Sequence, residues 1–137
     1  MARIQHVSLN DYRQGRFKSA EIAIRIVDDP SLFGEDQLGM LTHRFVFSDV
    51  DECHVDAIQS AQAEQIIKIL QSAQQANKHV LVHCVAGVSR SAAVAQFAID
   101  FLDFDDGNKP YDLRLPNSAV FSALKRALYG HECPFFQ

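Results

Sequence analysis

Five residues separate Cys84 from Arg90 in the run Lys78-His79-Val80-Leu81-Val82-His83-Cys84-Val85-Ala86-Gly87-Val88-Ser89-Arg90-Ser91. The apolar residues before Cys84 read as a short buried strand, and those after Arg90 as a helix, so the residues between them form a tight loop. Such a loop presents a sulfur nucleophile, a planar guanidinium and several backbone N–H groups around one centre. A helix N-terminus and a nearby cation favour the thiolate, which is the nucleophilic form of cysteine. Amides of Val85, Ala86, Gly87, Val88 and Ser89 can form an anion-binding nest, to which the dipole of the following helix adds favourable potential. Gly87 permits the sharp curvature. Arg90 can hold two oxygens of a tetrahedral anion at once, which a lysine ammonium cannot do with fixed geometry. Ser91 is near enough to hydrogen-bond the sulfur, and His83 is expected behind it. The chemistry implied is attack by a thiolate on an oxyanion of phosphate size.

A bare Cys-x5-Arg is weak, and its bland explanation is a buried free cysteine beside an incidental surface arginine. The longer pattern, His-Cys-x-Ala-Gly-x-Ser-Arg-Ser between strand and helix, is far more specific. It resembles the cysteine-dependent protein phosphatases, most closely the dual-specificity branch. A later stretch, Pro116-Asn117-Ser118-Ala119-Val120-Phe121-Ser122-Ala123-Leu124, is similar to the Pro-Asn-x-x-Phe-x-x-x-Leu element that closes those domains. The resemblance covers roughly residues 20–129, in family order. It implies a phosphomonoester hydrolase acting on phosphoproteins through a phosphocysteine intermediate. Phosphotyrosine is the expected substrate, with phosphoserine and phosphothreonine as further ones. Cys84, Arg90, Ser91 and an upstream aspartate would be the catalytic residues, and the loop 85–90 would bind phosphate. A phosphate- or phosphopeptide-binding module of the same fold with an idle pocket is the alternative.

Breaking a phosphate ester needs a proton for the leaving oxygen, usually from a positioned carboxylic acid. After Arg44-Phe45-Val46-Phe47 comes the acidic segment Ser48-Asp49-Val50-Asp51-Glu52. In the resembling family the acid lies on a loop after such a strand, some thirty-odd residues before the cysteine. Asp49, 35 residues upstream, fits best, and Asp51, 33 upstream, is the alternative acid. Glu52 and Asp56 read as solvated loop residues, with Asp56 as N-cap of the next helix. No lysine sits in the signature loop to meet additional phosphates, which favours phosphoprotein over inositide lipid. Arg114 reads as a surface arginine without a role rather than a contact for a phosphopeptide flank.

Alternating strands and helices must position these groups, so the expected fold is α/β. It has a central, mostly parallel sheet of about four to five strands flanked by helices. Strands are predicted over 4–7, 20–27, 41–47 and 80–82, the last wholly apolar as in a sheet covered on both faces. Apolar residues Ile58, Ala61, Ile66, Ile69, Leu70 and Ala73 predict a helix over 55–76, and small residues Ala92, Ala93 and Ala95 a closely packed helix over 91–104. Asp105-Asp106-Gly107-Asn108-Lys109-Pro110 breaks it, and the segment from Leu115 to Leu124 starts a last helix with a polar cap after a proline.

The 137 residues, 47% hydrophobic, are expected to form a single domain spanning 1–137. A formal net charge of −4 disfavours a nucleic-acid backbone or an anionic membrane surface as main partner. Six histidines and three cysteines show no metal-ligand spacing, and neither metal nor cofactor is expected. An odd cysteine count, one of them needed as a thiolate, and the lack of a signal-like segment point to the cytoplasm, where the chain is expected to act as a monomer. Cys53 and Cys133 read as inert, and residues 133–137 as a tail packed on the core.

Overall fold

The computed structural model describes residues 1–130, so Cys133 and the predicted packing of the tail lie outside the described residues. The chain runs β1 (Arg3–Ser8), α1 (Leu9–Arg13), β2 (Ile22–Val27), a 3-10 turn (Pro30–Leu32), β3 (Leu41–Val46), α2 (Ser60–Gln75), β4 (Val80–Cys84), α3 (Arg90–Phe101), β5 (Asp105–Asp106) and α4 (Ser118–Tyr129). The sheet order is β3-β2-β4-β1-β5, and all four pairings are parallel. Every strand therefore ends at the same edge, where parallel sheets present their ligand sites. At this edge Ser8, Val27, Val46 and Cys84 finish their strands together.

Every residue of β2 and of β4 is buried, which is why both read as near-continuous apolar runs. Alternation divides them between two cores. Ile22, Ile24, Ile26, Val80, Val82 and Cys84 join Ile66, Leu70, Val94, Phe97, Val120 and Leu124 in the larger core under α2, α3 and α4. Leu81 packs with Val7 and Tyr12 in the smaller core. Arg25 on β2 is also fully buried, directly beside His83 in the strand register.

Several element boundaries differ from the sequence expectation. Helix α2 begins at Ser60 because residues 51–59 fold into successive turns, with hydrogen bonds from His54 N to Asp51 O and from Ala57 N to His54 O. Its N-cap is Gln59, whose N–H is taken by the Gln62 side chain at 2.8 Å, so Asp56 is not the cap. The buried face is Ala63, Ile66, Ile67, Leu70 and Ala73, while Ala61 faces water. Helix α3 stops at Phe101, where Leu102 and Phe104 both donate to the Ala98 carbonyl and Asp103 takes a left-handed φ of 65°. The predicted breaker at Asp105-Asp106 is an edge strand, tied to β1 through Asp105 N to Ala2 O and Gly107 N to Ile4 O. Two aspartates carry no strand signal, so this pairing is a tertiary effect. No described helix is long and apolar enough to cross a membrane.

Candidate active site

Residues 84–90 close a loop at the carboxyl edge of the sheet, and nearly all its carbonyls are tied from outside. Val85 O accepts from Leu9 N at 3.1 Å, Val88 O from Leu115 N at 2.7 Å and Ser89 O from Asn117 N at 3.1 Å. Gly87 O meets His6 Nδ1 at 2.7 Å and Cys84 O meets His83 Nδ1 at 3.2 Å. In a trans peptide the N–H points opposite to the carbonyl, so outward carbonyls aim the following amides at the loop centre. Gly87 N–H reaches the Cys84 sulfur at 3.2 Å. The sulfur is also 3.1 Å from the Ser91 hydroxyl, and both residues are buried.

Arg90 folds beneath this loop and is itself buried. Its Nη1 is anchored from behind, hydrogen-bonding the Asp28 carboxylate and donating to Phe47 O at 2.8 Å. Its Nε is buried and has no hydrogen-bond partner. A buried donor left unmatched is costly, about 1–3 kcal/mol and more on a charged group. The guanidinium is thus fixed by one nitrogen while the Nε edge stays available for an anion. Asp28 follows β2, the neighbour of β4, so topology places it beside the loop although it lies 62 positions before Arg90 in the chain.

The acidic segment approaches from β3. Asp49 Oδ1 accepts hydrogen bonds from Ser89 Oγ and Asn117 Nδ2, each at 2.7 Å. Asn117 also caps α4, its Oδ1 accepting from Val120 N at 3.0 Å, which turns its amide nitrogen towards Asp49. Oδ1 is thus engaged twice, while Oδ2 has no hydrogen-bond partner among the described residues. Asp51 instead accepts from Cys53 N at 3.3 Å in its own turn, and among the described residues no hydrogen bond joins it to the loop. The geometry thus brings together Cys84, Arg90, Ser91 and Asp49, and leaves Asp51 outside.

Dual-specificity phosphatases supply the matching pattern. The family model described as "Dual specificity phosphatase, catalytic domain" matches residues 40–98, which take in β3, the acidic loop, α2, β4, the Cys-Arg loop and most of α3. Over this segment the chain is similar to dual-specificity phosphatases. No curated protein matches it. Among solved structures, the human tyrosine phosphatase-like serine/threonine/tyrosine-interacting protein superposes with a TM-score of 0.55 at 19% identity, over 86% of this chain and 80% of that one. OH1 from the Orf virus, described as a tyrosine phosphatase with triple substrate specificity, gives 0.56 at 19%, over 94% and 70%. Tk-PTP in its active form gives 0.51 at 15%, over 96% and 82%. At these identities the likeness is one of fold, a five-stranded parallel sheet flanked by helices.

Electrostatics around the phosphatase-like loop centre on two buried histidines. Arg25 Nε donates to His83 Nε2 at 2.9 Å, so that nitrogen is the acceptor and Nδ1 carries the proton given to Cys84 O. Burial, reinforced by the charge of Arg25, pushes the His83 pKa down to about 4. His83 is therefore a neutral brace on the main chain behind the sulfur. Burial likewise lowers the pKa of His6, helped by Arg114 and opposed by its bond to Gly87 O. Arg114 is no idle surface residue: it donates to both carboxylate oxygens of Asp106, to Gln96 and to His6. Sequence reading missed Asp28, His6, Arg25 and the acid-holding role of Asn117. The one signal available was the place of Asp28 directly after the predicted second strand. Among the described residues no cluster of His, Cys, Asp and Glu could hold a metal ion.

Two outcomes are expected. A Cβ on Gly87, at φ 79°, would fall 2.4 Å from Ser8 N and 2.6 Å from Val7 C, both backbone atoms. In urea titrations Gly87→Ala should therefore cost on the order of 3 kcal/mol, against roughly 1 for Gly15→Ala, which shares the backbone strain without the clash. Since folded His83 binds a proton less readily than unfolded His83, the unfolded state holds more protons between about pH 4 and 6.5. Stability should rise with pH across that window, by about 3 kcal/mol from this residue, and His83→Gln should flatten the slope.

Proposed function

We propose that this chain is a cysteine-dependent phosphomonoester hydrolase acting on phosphoproteins, on phosphotyrosine and also on phosphoserine and phosphothreonine. The observation that carries the proposal is the unpartnered, buried Nε of Arg90 at the end of a loop whose cysteine sulfur receives an amide N–H and lies 3.1 Å from a hydroxyl. A tetrahedral dianion between them would satisfy the Nε edge and take the inward amides of residues 85–90. Phosphorus would then lie over Sγ.

In the first step the Cys84 thiolate attacks phosphorus, an S–P bond forms, and the P–O bond to the substrate breaks. The leaving oxygen takes the proton from Asp49 Oδ2. Water then attacks phosphorus, giving its proton to the Asp49 carboxylate. The S–P bond breaks and inorganic phosphate leaves. The Ser91 hydroxyl stabilises the departing thiolate, while Arg90 and the loop amides hold the equatorial oxygens in both steps. No cofactor or metal enters this scheme, and a reducing compartment such as the cytoplasm would keep Cys84 a thiol.

A polymeric substrate is supported by a groove of about 390 Å³ that runs from Ala86, Gly87 and Val88 past Asp11, Arg16, Lys18, Lys109 and Asp112. Its mixed charge suits a polar peptide flank.

Hydrolysis of a small aryl phosphate, measured across pH, tests the proposal. Cys84→Ser should abolish turnover. Asp49→Asn should lower kcat by roughly 10²- to 10⁴-fold and remove the basic limb of the profile, with Asp51→Asn near wild type. Turnover retained in Cys84→Ser would rule out the thiolate route. Phosphate bound without turnover by the wild type would point to an idle binding module.

A further inference from the structure

Two side-chain chains of the same design reach the signature loop from opposite sides. On one, Arg25 Nε donates to His83 Nε2 at 2.9 Å and His83 Nδ1 meets Cys84 O at 3.2 Å. On the other, Arg114 Nε donates to His6 Nε2 at 3.2 Å and His6 Nδ1 meets Gly87 O at 2.7 Å. Both histidines are buried, at 0% and 3% exposure, so each imidazole must satisfy both nitrogens within the protein. An arginine can only donate, which forces its histidine partner to accept at Nε2 and carry its proton on Nδ1. The remaining loop carbonyls with partners, those of Val85, Val88 and Ser89, are held by backbone N–H groups. The Cys84 and Gly87 carbonyls alone depend on side chains among the described residues.

We infer that Arg25 and Arg114 are positioning residues for the oxyanion site, each acting through a histidine whose tautomer it sets. Arg25 through His83 turns the 84–85 peptide so that Val85 N–H faces the anion. Arg114 through His6 does the same for the 87–88 peptide and Val88 N–H. Each arginine is in turn held in place. Arg25 lies between the rings of Tyr12 and Phe33, 4.3 and 5.3 Å from their centroids, and pairs with Asp36. Arg114 is clamped by both oxygens of Asp106 on β5. The short edge strand thus has a function in the site: it carries the anchor of one brace. This inference rests on the proposed oxyanion site, but its test does not use turnover.

Ring ¹⁵N spectra of the wild type at neutral pH should show both His6 and His83 protonated at Nδ1. Arg114→Gln should move His6 towards the Nε2-protonated form. Phosphate affinity should then be measured by calorimetry for His6→Asn and His6→Leu. The Asn amide nitrogen reaches the place of Nδ1 and can still donate to Gly87 O, whereas Leu cannot. Both variants lose the Arg114 contact, so a purely structural role would weaken them alike. The expected result is roughly tenfold weaker phosphate binding for His6→Leu and less than threefold for His6→Asn. Equal affinities in the two variants, or a wild-type ring protonated at Nε2, would overturn the inference. A wild type that binds phosphate but hydrolyses no aryl ester would contradict the hydrolase alone; one that binds no phosphate contradicts both.

Discussion

The opposition of C=O and N–H across a trans peptide is the constraint on which the rest of this structure depends. A loop can gather amides around an anion only if something outside takes its carbonyls, because buried carbonyls are rarely left unpaired. Here that task is shared among several elements around the carboxyl edge of the sheet. The start of α1 supplies Leu9 N, β1 supplies His6, β4 supplies His83, and the segment leading into α4 supplies Leu115 N and Asn117 N. The close approach this requires leaves no room for a side chain at residue 87, where β1 backbone lies under 3 Å from a would-be Cβ.

The same economy appears in the charged residues. Arg25 occupies an interior strand position where an apolar residue would be the default, and its burial is offset by Asp36, two aromatic faces and His83. Arg90 is half satisfied: Asp28 and Phe47 O hold Nη1, and Nε waits. Asn117 serves two masters, capping α4 with its oxygen and holding Asp49 with its nitrogen. One side chain therefore links the start of α4 to the placement of Asp49, which Ser89 also holds.

The Cys-to-Arg loop, the strand before it and the helix after it were legible because their residue types and spacing are local. The approach of Asp49 to the loop was legible for the same reason, since it lies three residues past β3. The braces were not. His6 and Gly87 are 81 residues apart, and Arg25 and His83 are 58 apart. Only the β3-β2-β4-β1-β5 order brings them together. Arg114 looked like a surface residue because its partners come from β5, α3 and β1, none adjacent in sequence. The start of α2 was misplaced for a different reason: apolar Val55, Ala57 and Ile58 continue the helical period into a segment whose hydrogen bonds are turns.

The central claim is that Arg90 offers an unsatisfied edge to an oxyanion over Cys84, and its most direct test is the Nε–H resonance of Arg90 during a phosphate titration. A saturable downfield shift is expected, with the amides of residues 85–90 titrating at the same dissociation constant. An Arg90 Nε–H that does not respond while phosphate binds elsewhere on the chain would contradict it.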